Sequence, residues 1–439
     1  MPAEEERGNV MIKKKRWQLV FLLFLAGMVN YLDRSALSVA APLVSRDLGL
    51  GPADLGMIFS SFFFGYAIFN FIGGWASDKL GGKRVFTLAM AVWSAFCALT
   101  AAATGFVTLL VIRVFFGVGE GPLSATINKV VNNWFPHREA ASAVGFANCG
   151  TPLGGAIAGP IVGLLAVAFG WRVSFVAIGA LGFVWLLFWM KFASETPLEH
   201  PSITAEELQE IEGDHADPTA GLAPQPLGFY LRQPVVLATG LAFFGYNYIL
   251  FFFLTWFPSY LTMAQHLSIK DMSIATVLPW VLGFCGLAAG GAVSDAVFRA
   301  TGRALFARKL VLTVCLSVSA VCVALAGLVT TVGSALMLMS GAVFFLYLTG
   351  STYWAILQDT VRGENIGGVG GFIHMMANCA GIIGPAVTGF IVQSTGAFTS
   401  AFVLAGGIAI MGVVCVLVFV RPISPVAASG MRSPIAPAH

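Results

Sequence analysis

Four ionisable residues sit where the sequence offers little to solvate them. Asp33 and Arg34 stand in the apolar run 17–41, Arg113 and Glu120 in the run 106–134. An ionisable group at mid-membrane depth costs at least about 2.5–3.5 kcal/mol on insertion scales, so it marks a functional site by default. Arg113 and Glu120 are seven apart, almost two helical turns, which places them on one helix face about 10 Å apart along the axis. With both carboxylates ionised the four charges cancel and the guanidinium groups are occupied. A proton on Asp33 or Glu120 frees positive charge, and a guanidinium forks well onto an incoming carboxylate. Burial disfavours a carboxylate's charge and a nearby arginine favours it, so opening or closing a cavity moves a proton on or off. The expected chemistry is joint binding of a proton and a small organic anion, a symport cycle. The competing reading is two static ion pairs that glue helices together.

The second half of the chain has no such cluster, and its expected contribution is neutral. His374 and Asn378 lie four apart on a stripe with Gly367, Gly371 and Gly381. Tyr246, Asn247 and Tyr248 fall together in the run 235–264, and Tyr66 lies near the middle of the run 54–77. These groups can read the body of a substrate, although each also fits plain helix–helix hydrogen bonding. Trp354 and Gln358 are further candidates, Asp359 belongs at the mouth, and Lys129 is near a helix end where its stem can snorkel. An intramembrane enzyme built on His374 is the rival from another class, and no metal-spaced cluster or nucleophile–base pair supports it. The seven cysteines are odd in number, lie in apolar runs and read as small buried hydrophobes.

The elements that must position these residues follow from composition. Among 439 residues only 24 are Lys or Arg and 21 Asp or Glu, while 57% are hydrophobic and 37 are Phe. So few charges cannot cover a water-soluble surface of this length. A bilayer core needs roughly 20 helical residues per crossing. Runs of that length recur at 17–41, 54–77, 84–104, 106–134, 139–168 and 171–193, then at 235–264, 270–298, 306–329, 334–358, 366–394 and 398–420. The first run is too long for a cleaved signal segment. The expected fold is an all-α membrane protein of twelve transmembrane helices in two six-helix bundles, 17–193 and 235–420. A basic segment 1–16, a connector 194–234 and a tail 421–439 complete it. The connector is the long acidic stretch, with Glu195, Glu199, Glu206, Glu207, Glu210, Glu212, Asp214 and Asp217. Its Thr204 and Glu207 form a capping-box pair opening a short helix, and Pro218, Pro224 and Pro226 make a linker.

Orientation follows from the loop cations. Arg7, Lys13, Lys14, Lys15, Arg16, Lys79, Lys83, Arg84, Arg138, Lys191, Arg232, Arg299, Arg303, Arg308, Lys309, Arg362, Arg421 and Arg432 fall on the side of the termini. Only Arg46, Arg172 and Lys270 fall on the other. Both termini are therefore expected inside. A net charge of +3 gives no case for nucleic acid. The expected partners are the lipid bilayer, an organic anion and protons, with no metal or other cofactor and a monomeric state. Small residues crowd the fifth run at Gly145, Gly150, Gly154, Gly155, Gly159 and Gly163, a surface for close or rocking helix contact.

Between the second and third runs, Gly74, Asp78, Lys79, Gly81, Lys83 and Arg84 fit the pattern G-x-x-x-D-[RK]-x-G-x-[RK]-[RK] at every defined position. Gly291, Asp295, Arg299, Gly302 and Arg303 form a degenerate copy at the equivalent place in the second half. This duplicated loop resembles that of the major facilitator superfamily. Gating is the role implied for Gly74, which permits close helix contact, for Arg84, and for Asp78 and Asp295, which can meet basic groups when that side shuts. Within the superfamily the chain resembles the anion:cation symporters, bacterial relatives of sialin and the vesicular glutamate transporters. The resemblance rests on Asn30-Tyr31-Leu32-Asp33-Arg34, on Arg113 with Glu120-Gly121-Pro122, and on Trp134, Pro136, Arg138, Glu139 and Ala141. It also rests on Gly170-Trp171-Arg172 with Phe175, on Ile203-Thr204 with Glu206-Glu207, and on Ala307-Arg308-Lys309. It implies proton-coupled import of organic anions by alternating access across a bacterial inner membrane, with sugar acids such as aldonates, aldarates or hexuronates favoured. It places substrate binding at Arg34, proton coupling at Asp33 and Glu120, and supporting contacts at Arg113, Tyr66 and Asn378, to which position along the chain adds Tyr248 and His374 as substrate-binding candidates. Thr151 stands where similar sugar-acid transporters often have Gln, and the seventh run lacks the Arg of the animal vesicular relatives. An aromatic or less hydroxylated carboxylate, or anion exchange at the same site, is the alternative.

Overall fold

A computed structural model describes residues 14–212, 226–361 and 363–421 of the chain. Arg7, Lys13, Asp214, Asp217, Pro218, Pro224, Arg362 and Arg432 lie outside the described residues, and Arg138 and Gly367 are placed only by their helical backbone. Twelve helices are long and apolar enough to cross a bilayer. The first six are α1 (Lys15–Leu48), α2 (Pro52–Leu80), α3 (Gly82–Ala102), α4 (Phe106–Trp134), α5 (Ser142–Phe169) and α6 (Trp171–Phe192). The second six are α7 (Pro234–Met263), α8 (Ile269–Thr301), α9 (Ala304–Ala326), α10 (Val332–Thr360), α11 (Gly368–Thr395) and α12 (Thr399–Phe419). At 1.5 Å per residue each is long enough to span a hydrocarbon core of about 30 Å. The twelve runs of the sequence are these twelve helices, and they pack as two six-helix bundles.

Local sequence shapes the helices that carry the charges. Gly121 and Pro122 interrupt α4 immediately after Glu120, dividing it into Phe106–Glu120 and Leu123–Trp134. On the other side of that break, α2 and α4 meet along glycines: a Cβ on Gly117 would run into the Phe62 carbonyl, and one on Gly65 into the Val114 carbonyl. This close approach sets the Phe62 ring beside Arg113 and Arg34. In the second bundle Gly286 and Gly290 of α8 lie just as tightly against the Phe344 and Leu348 carbonyls of α10. The fifth-run glycines divide by neighbour. Gly150 and Gly154 press on the α1 backbone, Gly155, Gly159 and Gly163 press on α8 across the bundle boundary, and Gly145 has nothing within 4 Å.

Lys14 and Arg421 end the described chain on one side, here the near side. The bundles are joined on the far side. Ala53 N–H donates to Gln393 Oε1 at 2.9 Å, and Ala386 N–H to Ser60 Oγ at 3.0 Å. Gly56 and Gly389 allow α2 and α11 to touch backbone to backbone. A space of about 10 Å³ remains between Ser35, Ser38, Gly159, Thr276 and Trp280, room for one water at most. Asp47, at the far end of α1, accepts from Trp171 Nε1 at 3.1 Å and pairs with Arg172, which accounts for the Gly170-Trp171-Arg172 motif as a staple between α1 and α6.

The connector differs from its expected form in one contact. Thr204 Oγ1 accepts from the Glu207 N–H at 3.2 Å and opens the helix Ala205–Glu212. The Glu207 carboxylate, however, accepts from the backbone N–H groups of Lys15 at 3.1 Å and Arg16 at 3.0 Å. It caps α1 instead of its own helix, because the first N–H groups of a helix have no intrahelical acceptor. Glu210 pairs with Lys14 and Arg16, both at 2.7 Å. The Lys14 ammonium, with Arg16 beside it, holds the Glu210 carboxyl below the usual carboxylate range.

Candidate functional site

Halfway along α1, Arg34 turns inward. Its Nε and Nη2 both donate to Glu120 Oε2, at 3.0 and 2.7 Å, and Glu120 has no exposed surface. The guanidinium is enclosed by rings: its Cζ lies 5.1 Å from the Tyr31 centroid, 4.9 Å from Phe62 and 4.8 Å from Tyr66. Arg113 sits against the same Phe62 ring at 4.9 Å and against Phe116 at 4.7 Å. Phe62 thus contacts both guanidinium groups, and each contact adds a cation–π attraction.

Asp33 points elsewhere. Both its oxygens are buried and close no hydrogen bond. Trp93 and Cys97 of α3 face its carboxylate, and Arg113 and Glu120 act on it through space. Of the four arginine–carboxylate pairs that these residues allow, one forms a contact, Arg34 with Glu120. Glu120 Oε1 is also without a closed hydrogen bond, with the Asn30 amide facing it.

The second bundle brings a different set of groups to the other side of Arg34. Tyr246 of α7 packs edge-on to Tyr353 and Tyr347 of α10, with centroids 5.6 and 6.5 Å apart. His374 lies 6.0 Å from Phe243 and 6.3 Å from Trp354 and feels the Arg34 charge. Asn378 Nδ2 donates to the His374 carbonyl at 2.9 Å and lies 3.2 Å from His374 Nδ1, so this amide is partly committed within its own helix. Trp354, beside His374, is 43% exposed. Tyr248 is buried against Gly384 of α11 and Phe244. It is Tyr246, two residues earlier, that the helix turns toward Tyr31 and the cluster. The Thr151 hydroxyl bonds back to the Asn148 carbonyl at 2.8 Å and its methyl lies against Gly27, so it is turned into the bundle.

At the near side the acids of the duplicated loop each find a cation in their own bundle. Asp78 Oδ1 is 3.1 Å from Lys129 Nζ, and Asp295 Oδ1 is 2.9 Å from Arg308 Nη1, which also donates to Ser294 Oγ at 2.6 Å. Arg84 is exposed. The tight glycine is Gly73, where a Cβ would be 2.5–2.7 Å from Pro122, whereas a Cβ on Gly74 would make ordinary contact with Ala125 at 3.5 Å. Sequence reasoning did not single out Phe62, Trp93, Tyr347 or Tyr353 for the site. Aromatic residues in apolar runs carry no signal of which face they occupy.

Comparison with known proteins agrees with this architecture. Residues 23–376 match the family model of the Major Facilitator Superfamily. The chain is 57% identical over 415 residues to a hexuronate transporter of Bacillus subtilis (strain 168), covering 94% of this chain and 96% of that one. It is 33% identical over 427 residues to a probable galactarate/D-glucarate transporter of the same organism, covering 94% and 93%. Among solved structures, the D-xylose-proton symporter superposes with a TM-score of 0.76 at 14% identity, covering 93% of this chain and 99% of that one, a likeness of fold.

Proposed function

The chain belongs to the Major Facilitator Superfamily and is a multi-pass membrane transporter, and we propose that it imports a hexuronate or a closely related sugar acid together with protons. The reading rests on one observation: Arg34 spends both its inner N–H groups on a single oxygen of Glu120 in an otherwise ring-lined pocket. A guanidinium has five donors in a planar fork suited to a carboxylate. An incoming substrate carboxylate therefore competes with Glu120 for the same donors, and a proton on Glu120 decides the competition. Protonation removes one negative charge as the substrate adds one, so the buried site keeps its charge balance through the cycle. Asp33, which closes no ion pair, is the second proton site, coupled to Glu120 through the intervening field.

In the proposed topology both termini lie in the cytoplasm of a bacterial cell and the far side faces outward. The bundles 17–193 and 235–420 then rock about Arg34, tied by the connector 194–234, with 1–16 and 421–439 as cytoplasmic ends. Asp78 and Asp295, paired within their own bundles here, exchange partners when the near side closes, with Gly74 and Arg84 at that gate. Arg34 and Arg113 hold the carboxylate end, and Tyr66, Tyr246, His374 and Asn378 line the rest, with Tyr248 supporting α11 from behind. The relatives transporting hexuronates and aldarates favour a sugar acid.

The test is purified protein in liposomes. An inward proton gradient should drive accumulation of D-glucuronate or D-galacturonate, and adding substrate should alkalinise the outside medium. Uptake driven only by a counter-anion, with no pH change, would instead establish exchange.

A further inference from the structure

We propose that Tyr347 is a specificity-determining residue, whose phenol hydroxyl binds the substrate hydroxyl nearest the carboxylate held at Arg34. The inference rests on the sugar-acid reading above and deepens it. Tyr347 lies in α10, is 4% exposed, and its buried hydroxyl faces the Tyr31 phenol without closing a hydrogen bond. The phenol faces Tyr31, a residue of the opposite bundle that stacks over Arg34, and it is near enough to feel the Arg34 charge. Its direction is fixed by packing. Trp280 lies 6.5 Å from the Tyr347 ring and 5.8 Å from Tyr31, Tyr246 lies 6.5 Å away, and a Cβ on Gly283 would already stand 3.0 Å from the ring.

A buried hydroxyl without a partner is unfavourable in the resting protein and becomes favourable when a ligand supplies the missing group. The group within reach is set by Arg34. With the carboxylate on its guanidinium, the next oxygen along a pyranose hexuronate that can both donate and accept is the C4 hydroxyl. Because Tyr31 and Tyr347 come from different bundles, a hydroxyl placed between them also ties α1 to α10. A bare carboxylate lacks that tie. The same geometry therefore selects hydroxylated acids and links their binding to movement of the bundles.

The experiment compares Tyr347→Phe with wild type for binding of D-galacturonate, D-glucuronate and 4-deoxy-hexuronate by thermal shift and calorimetry. Loss of one well-placed hydrogen bond predicts about tenfold weaker binding. Galacturonate and glucuronate differ in the orientation of that C4 hydroxyl. Tyr347→Phe should therefore bind whichever of the two wild type prefers about tenfold more weakly than wild type does, and bind the 4-deoxy acid as wild type does. The ligand-free variant should be as heat-stable as wild type, since the Tyr347 hydroxyl faces Tyr31 without closing a hydrogen bond. Equal weakening for all three ligands, no weakening, or a less stable ligand-free variant would overturn the proposal. Wild type binding neither parent acid would overturn the sugar-acid reading itself. Wild type binding a parent acid, with Tyr347→Phe keeping wild type's preference for that acid over the deoxy acid, would overturn only the role of Tyr347.

Discussion

The two bundles share a scaffold and divide the chemistry. In the first, Gly117 and Gly65 fit α2 and α4 together so closely that backbone meets backbone, and in the second Gly286 and Gly290 do the same for α8 and α10. Onto these matching seams the chain hangs opposite contents. The first bundle carries Asp33, Arg34, Arg113 and Glu120. The second presents Tyr246, Tyr347, Tyr353, His374 and Asn378, with no ion pair among its described residues at this depth. A duplicated fold thus needs to place expensive charges only once. The partner bundle can hold and orient neutral groups, and motion of one against the other changes what the charges face.

The largest effect should come from Arg34. Arg34→Ala removes the anion fork and leaves Glu120 buried without its cation, so substrate uptake in liposomes should fall at least about a hundredfold, more than 2.7 kcal/mol. Arg34→Lys keeps the charge but loses the fork and the ring stacking, and should not restore uptake. A functional Arg34→Ala protein would break the comparison at its centre.

The seams should respond alike. Gly117→Val and Gly286→Val each drive a side chain into a backbone carbonyl, and each should cost several kcal/mol or abolish folding, as overpacking without room to relax does. Gly145→Val, with open space around it, should change stability by less than about 0.5 kcal/mol. Melting temperatures in detergent decide this. A tolerant Gly286→Val beside an intolerant Gly117→Val would show that the scaffolds are not equivalent.

A smaller effect is expected in the neutral half. Asn378→Ala removes an amide already bonded to the His374 carbonyl, so KM should rise about three- to tenfold with little change in maximal rate. A loss as large as that of Arg34→Ala would place primary anion binding on both sides.

Smallest is the clasp between connector and α1. Glu210→Gln should lower stability by no more than about 1 kcal/mol, since this pair is part-exposed. The sign with pH is fixed: a carboxylate held below its ordinary range contributes above that range and loses its contribution as pH falls through its lowered value. The gap between wild type and Glu210→Gln should thus be full at pH 7 and close only in acid, read from melting curves.

The twelve helices were legible because a bilayer demands long apolar runs, and the four charges because that environment makes them conspicuous. Their pairing was not. Spacing placed Arg113 and Glu120 on one face, but Glu120 pairs with Arg34 of another helix, and Asp33 turns toward Trp93 and Cys97. Likewise, the sequence offered Tyr246 and Tyr248 together, two positions about 200° apart on a helix, and nothing local says which one faces the partner bundle. The gate motif singled out Gly74, whereas the tight contact falls on Gly73, because Pro122 packs one residue earlier. The acids of the connector suggested a helix capping itself, while Glu207 reaches the unpaired N–H groups of α1. Each of these depends on how helices turn and meet, which chain periodicity does not record.

The central claim is that the carboxylate of the transported acid takes Glu120's place on Arg34 when Glu120 accepts a proton. The most direct measurement is hexuronate transport by Glu120→Gln in liposomes, with counterflow and proton-driven uptake recorded on the same preparation. Counterflow retained while an inward proton gradient no longer produces accumulation is the result this account predicts. Gradient-driven accumulation at wild-type level in Glu120→Gln would contradict it.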